Sequence, residues 1–266
     1  NFEKLKILKK YGVTRISINP QSMNDKTLKL IGRNHFAQDI KEKFNLARQA
    51  GIDNINISLD TVDKAKFEKI TRRKGLSKVL EGLEEALKYP NIGLKINCVP
   101  VVEEPENLVA VAKLAKEYPI HVRFIEMMPI GYGNIPQIIS NEELKEKIMR
   151  YYGNLTEDFR IYGNGPAVYY SIEGFKGNIG FISAIHGKFC NLCNRIRMTS
   201  TGDIKPCLCY EQRWALKPAL RMEHKEKRQE SIQKILIESI KNKPQMHCFE
   251  NVKSVSEKHF MGQIGG

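Results

Sequence analysis

The chain has 266 residues, 41% of them hydrophobic, and a formal net charge of +13. It has room for one well-buried core, or one large domain with an extension, and its charge favours anionic partners. Six cysteines in a chain this long make no disulfide scaffold and no apolar run reaches membrane-spanning length, so a reduced, cytoplasmic protein with no membrane partner is expected.

The lysines are dispersed and no basic block is interleaved with aromatics, so water-facing helices are expected in place of a nucleic-acid surface. Neither an initiator methionine nor a signal peptide begins at Asn1, and the sequence reads as a fragment. Phe2 to Lys10 has the helical spacing of Phe2, Leu5 and Leu8, and Gly12 ends it. Val13 to Ile18 reads as a strand, Thr27 to Ile31 and Phe36 to Ala50 as helix, and Ile55 to Leu59 as the next strand. Helices are predicted at Lys64–Thr71, Leu76–Lys88 and Leu108–Tyr118, with strands at Ile92–Val101 and His121–Glu126. Strands separated by helices imply βαβ units on a parallel sheet. Residues 1–130 are therefore expected to form part of a β/α barrel, with ligands at the C-terminal ends of its strands. The stretch from Arg15 to Arg33 echoes that from Asn54 to Arg72 at an offset of 39 residues, as two βα units of one barrel would. A partial barrel leaves a sheet edge exposed, which favours association into a homodimer. Cys98 stands alone on an apolar strand and reads as a core thiol.

After Pro129 the texture changes, and residues 131–266 are expected to form a C-terminal region. Asn141 to Tyr151 reads as a helix with Glu142 and Glu143 in its first turn. Short strands near Arg160–Tyr162, Ala167–Ile172 and Gly177–Ile182 imply a small antiparallel layer, and Glu223 to Lys241 a packed, basic amphipathic helix. Between them lie Cys190, Cys193 and Cys207, spaced C-x2-C-x13-C, a ligand set for a metal. Arg195 to Leu208 reads as a hairpin turning at Thr201-Gly202-Asp203, which carries Cys207 back to the first two cysteines. Strand alternation puts Arg195 and Arg197 on one face and Ile196 and Met198 on the other. Two guanidiniums beside a metal suit a phosphorylated substrate. The spacing leaves the metal open: zinc with Cys209 as a fourth ligand, an iron–sulfur cluster on three cysteines with one open iron, or no metal and plain buried thiols. His186 is the histidine nearest these cysteines.

Phe189 to Thr199, Gly202 and Pro206-Cys207-Leu208 resemble the C-terminal cluster motif of the radical S-adenosylmethionine GTP 3′,8-cyclases, which open molybdenum-cofactor biosynthesis. Asn56-Ile57-Ser58-Leu59-Asp60-Thr61, Leu94-Lys95-Ile96-Asn97, Arg123 to Pro129, Asn178 to Ser183 and Ile264-Gly265-Gly266 agree in order, so the resemblance covers residues 54–266. It implies a lyase with a partial radical S-adenosylmethionine barrel, TIM-like, whose C-terminal antiparallel layer and helix carry the cysteine motif. The implied reaction converts GTP to (8S)-3′,8-cyclo-7,8-dihydroguanosine 5′-triphosphate. Cys190, Cys193 and Cys207 are implied ligands of a 4Fe–4S cluster whose open iron meets the guanine. Lys95, Arg195, Arg197 and Arg123 are implied GTP contacts, and Ser58 and Met128 contacts of S-adenosylmethionine. In that family the di-glycine tail reaches the active site.

Tyr11 to Ser22, Ile31 to His35 and Ala50 to Asn56 are similar to a second radical S-adenosylmethionine family, the oxygen-independent coproporphyrinogen dehydrogenases. That resemblance makes Gln21 and Arg33 cofactor contacts, and the chain reads as two related sequences joined near residues 54–58. Both families hold their S-adenosylmethionine-cleaving 4Fe–4S cluster on a C-x3-C-x2-C loop, and no such spacing occurs in these 266 residues. Two further readings follow: an inert, metal-stabilised nucleotide-binding module, and, from residues 1–56 alone, a heme-pathway protein.

Overall fold

The computed structural model describes Glu3, Lys6, Ile7 and Lys10, then residues 54–264 apart from 73, 91, 102, 103, 132–138, 164, 188, 200 and 260–263. Gln21, Arg33, the elements read between residues 11 and 53, and Gly265-Gly266 lie outside the described residues. Glu3, Lys6, Ile7 and Lys10 are helical and fall within the helix expected over Phe2 to Lys10. The chain is mixed α/β and divides into two compact units.

The first unit takes the described residues of Asn1–Ile125, Ile138–Ile161 and Ala167–Phe181. Its elements run β1 (Asn54–Ser58), α1 (Lys64–Thr71), α2 (Leu76–Leu87), β2 (Gly93–Cys98), α3 (Pro105–Glu117), β3 (His121–Ile125), α4 (Asn141–Tyr152), β4 (Thr156–Asp158), β5 (Val168–Ser171) and β6 (Ile179–Ile182). Three of these four helices start on recognisable local chemistry. Asp63 accepts from the Lys66 N–H at 2.8 Å to begin α1, and Pro105 opens α3 where its missing N–H costs nothing. Ser140 and Glu143 exchange side-chain and backbone bonds as a capping box at the start of α4.

Among the described residues the strands order as β1-β2-β3-β6-β5-β4. β1, β2 and β3 are parallel, with Asn56 opposite Lys95 and Asn97 opposite Arg123. The Val122 N–H reaches Asn178 O and the Glu126 N–H reaches Ile182 O, both at 3.0 Å, so β6 advances alongside β3. β5 and β4 then add antiparallel. This corrects one expectation: β4–β6 form no layer of their own but extend the parallel sheet. Gly177 permits it, since a Cβ there would sit 1.8 Å from the Ile120 carbonyl oxygen. The strand expected at Arg160–Tyr162 falls instead at Thr156–Asp158, because Arg160 folds back onto the Asp158 carboxylate at 2.6 Å and ends it.

Alternation along β2 and β3 sends Leu94, Ile96, Cys98, Val122 and Phe124 into an apolar core with Leu108, Val111 and Ala115 of α3 and Leu144 and Ile148 of α4. Removing this apolar surface from water is the main favourable term holding the unit together. Cys98 is fully buried there, as expected of a core thiol.

The second unit takes the described residues of Glu126–Gln137, Tyr162–Pro166 and Ile182–Gly266. It holds β7 (Arg197–Met198), β8 (Asp203–Lys205), β9 (Trp214–Ala215), α5 (Lys217–Leu220) and α6 (Lys225–Lys241), and β7-β8-β9 form a small antiparallel sheet. The predicted hairpin is β7–β8, with Arg197 opposite Lys205 and Met198 opposite Ile204. Gly202 turns it at φ +89°, a conformation glycine adopts without strain. Ile130, Leu208, Cys209, Phe249 and Ile264 form the core, with Met128 packed against it.

Candidate functional site

The cysteine loop begins with a 3-10 turn, Phe189–Leu192, in which the Cys193 N–H donates to Cys190 O at 3.1 Å. That turn brings the first and fourth residues of the C-x-x-C pair together. Polar hydrogens converge on their sulfurs: the His247 backbone N–H donates to Cys190 Sγ at 3.4 Å, and the Lys243 ammonium to Cys193 Sγ at 3.4 Å. Burial pushes the Cys193 thiol up, but the Arg195 N–H, the Lys243 ammonium and the Arg195 charge outweigh it, so its pKa lies below the usual value. Burial pushes Cys207 up, a Cys209 N–H opposes this, and the neighbouring Cys190 and Cys193 add to the rise. Cys207 therefore lies within electrostatic reach of both sulfurs of the C-x-x-C pair. Among the described residues, however, no three His, Cys, Asp or Glu side chains gather tightly enough to hold a metal ion.

Arg195 and Arg197 are half-buried on the hairpin while Ile196 and Met198 are exposed, which is the alternation expected. Burial and then Arg195 pull the Arg197 guanidinium down, and Cys193 and Cys207 hold it up. Two guanidiniums and the thiols thus share one electrostatic neighbourhood. Arg195 also lies over the Phe189 ring at 5.9 Å.

Cys209 does not complete a fourth corner. It is buried, its Sγ lies 3.2 Å from Cys248 Sγ, and it accepts from the Cys248 N–H at 3.3 Å. His186 is likewise engaged: its Nδ1 lies 3.0 Å from Glu126 Oε1, while Glu126 Oε2 accepts from the Ile185 and His186 N–H groups at 2.7 and 3.1 Å.

In the first unit, Lys95 and Arg123 occupy the polar face of β2 and β3, only 2% and 5% exposed. Arg123 donates to Asn97 Oδ1 at 2.8 Å and to Asn56 Oδ1 at 2.9 Å, so three adjacent strands fix one guanidinium. A Cβ at Gly180 would lie 3.1 Å from Arg123 Cγ, so β6 also bounds it. Burial lowers the His121 imidazole, and the charges of Lys95 and Arg123 help bring it to about 4. That neutral histidine marks a cationic face. Ser58 ends β1 exposed, and Met128 is half-buried.

Lys243 is no part of any motif read from the sequence, and Asn56 and Asn97 stand there only within motif stretches, without a site role. Asn56 lies opposite Lys95 on β1 and Asn97 two residues beyond it on β2, so both could have been found by continuing the alternation. Lys243 carries no signal of its own among 43 lysines and arginines.

Residues 120–249 match the Molybdenum Cofactor Synthesis C family, and residues 1–55 the Radical SAM superfamily. The chain is 40% identical over 223 residues to a GTP 3′,8-cyclase of Syntrophomonas wolfei, covering 82% of this chain and 67% of that protein. It is 39% identical over 227 residues to one of Clostridium perfringens, covering 85% and 69%, and 38% identical over 223 residues to one of Desulforamulus reducens, covering 82% and 67%. Among the described residues no helix is long and apolar enough to cross a membrane.

Proposed function

Because the chain belongs to the GTP 3′,8-cyclase family, the radical S-adenosylmethionine lyases of molybdenum-cofactor biosynthesis, we propose that its second unit carries an iron–sulfur centre on Cys190, Cys193 and Cys207 beside GTP-binding arginines. One observation carries this reading. The His247 N–H donates to Cys190 Sγ and the Lys243 ammonium to Cys193 Sγ, each at 3.4 Å, while Cys190 and Cys193 act on Cys207 and both Cys193 and Cys207 act on the Arg197 guanidinium. Hydrogen bonds to ligand sulfurs are a feature that tunes iron–sulfur clusters, and membership of the family favours such a cluster over zinc. Bound there by three thiolates, the cluster would offer an open iron to the base of GTP.

The remaining work falls to side chains. Arg195 and Arg197, held on one face of the hairpin, receive the triphosphate through charge-assisted hydrogen bonds. Lys95 and Arg123 are assigned nucleotide contacts on the strength of their own buried cationic face. Ser58 and Met128, with Gln21 and Arg33, are assigned to S-adenosylmethionine. The parallel strands of the first unit are read as part of a β/α barrel, which places Ser58, Asn97 and Arg123 on the ligand-facing side. For the family's first cluster the residues do not fit: there is no C-x3-C-x2-C set, and Cys98 is pushed well up by burial and by Asp60. No step through that cluster is assigned to this chain.

The test is GTP titration of the anaerobically reconstituted protein. Arg195→Ala and Arg197→Ala should each weaken binding about 10- to 100-fold, the worth of a hydrogen bond to a charged group. Unchanged affinity in both variants would overturn the reading.

A further inference from the structure

Lys243 lies two residues beyond the end of α6 and commits its ammonium to the cysteine loop. Nζ donates to Cys193 O at 2.5 Å, to Arg195 O at 2.9 Å and to Cys193 Sγ at 3.4 Å. An ammonium has three N–H donors, so all three go to two loop residues. Its own backbone is held too: the Lys243 N–H donates to Ile240 O at 3.1 Å, and the Asn242 side chain to Glu238 O at 2.8 Å. α6 in turn packs on β8 and β9. Four residues further on, the His247 N–H meets Cys190 Sγ, so one short segment grips both sulfurs of the C-x-x-C pair.

We propose that Lys243 is a positioning residue for the iron–sulfur centre and for Arg195, an inference that rests on the cluster reading above. Its carbonyl contacts fix the backbone on which Cys193 and Arg195 ride. Its sulfur contact puts a cationic donor on a ligand thiolate, which stabilises added negative charge and so favours the reduced cluster. A purely structural staple would fix the loop without favouring either oxidation state.

The experiment compares the reconstituted wild type with Lys243→Met, Lys243→Gln, Lys243→Arg and a control, Lys241→Met, at the exposed end of α6. Iron release to a chelator and the cluster's reduction midpoint are read together. Lys243→Met should release iron about 10-fold faster or more, the usual cost of losing a partner of a metal ligand, and its midpoint should move to more negative potential. Lys243→Arg, which keeps charge and donors, should restore most of both, and Lys241→Met should match the wild type. Should Lys243→Met fail to fold, Lys243→Gln keeps a donor without the charge and should still show the lowered midpoint. A Met or Gln variant with the wild-type midpoint overturns the proposal, whether or not it loses iron. A wild type that takes up no iron defeats the cluster reading itself, a different outcome from an iron-loaded wild type with indifferent variants.

Discussion

Lys205→Met should be the most damaging single change in the second unit. Lys205 and Glu257 side chains are both 0% exposed, and the ammonium bonds the Glu257 carboxylate and the Tyr210 carbonyl. Removing one member of a buried pair strands the other charge, which costs about 3–5 kcal/mol. Here Glu257 keeps the His259 N–H at 2.7 Å, His259 Nδ1 at 2.8 Å and Arg213 at 3.5 Å, so the lower end applies. The Tyr210 carbonyl loses its donor as well, for about 1 kcal/mol. The sum is about 4 kcal/mol, or roughly 8–16 °C in Tm for a chain of this size. Trp214, the single tryptophan, pairs with Ile204 one residue before Lys205, so its fluorescence follows this sheet directly. Lys205→Met/Glu257→Leu should recover at least half of the loss, because Arg213 and His259 are 22% and 41% exposed and can hydrate. Burial raises the Glu257 carboxyl, but Lys205 and His259 lower it further, leaving it below its ordinary 4.5. A depressed carboxyl contributes stability in full above its unfolded value, and that contribution is lost as pH falls through the folded one. Wild type should therefore weaken below about pH 4.5 by a step that Lys205→Met largely lacks. A loss under about 1 kcal/mol, or a double variant no better than the single, would refute the reasoning.

Gly177→Ala drives a methyl into the Ile120 carbonyl, so backbone must move, and the expected loss is about 3 kcal/mol or more by urea midpoint; a wild-type midpoint would contradict the close approach of the β6 entry to β3. Ser140→Ala removes half of the capping box on α4 and should cost about 1 kcal/mol in the same assay. Glu126→Gln presents one amide nitrogen where the 1%-exposed carboxylate accepts from Ile185, His186 and the His186 ring, and should cost about 1–3 kcal/mol in thermal melts followed at Trp214.

Local chemistry was legible from the sequence wherever a few consecutive residues decide the outcome. α1 falls at Lys64–Thr71 as read, β3 starts at His121 as read, and the hairpin turns at Gly202 with its arginines on one face. Pairings across long stretches were not legible. β6 joins β3 through Asn178 and Val122, more than fifty residues apart, and no local pattern says which edge an isolated apolar strand will find. Cys209 meets Cys248 across 39 residues and Lys205 meets Glu257 across 52, although spacing alone had offered Cys209 to a metal. Residues of a compact turn announce themselves by type and interval, whereas Lys243 acts only because α6 carries it to the loop 48 residues upstream.

The central claim is that three particular sulfurs carry the iron. Anaerobic reconstitution with iron and sulfide, followed by metal and sulfide counts and Mössbauer spectroscopy, tests it most directly. The account predicts a brown protein with about four irons per chain, emptied by replacing Cys190, Cys193 and Cys207 with alanine and retained when Cys209 and Cys248 are replaced instead. A colourless protein holding stoichiometric zinc, or iron that survives loss of the first three cysteines, would contradict it.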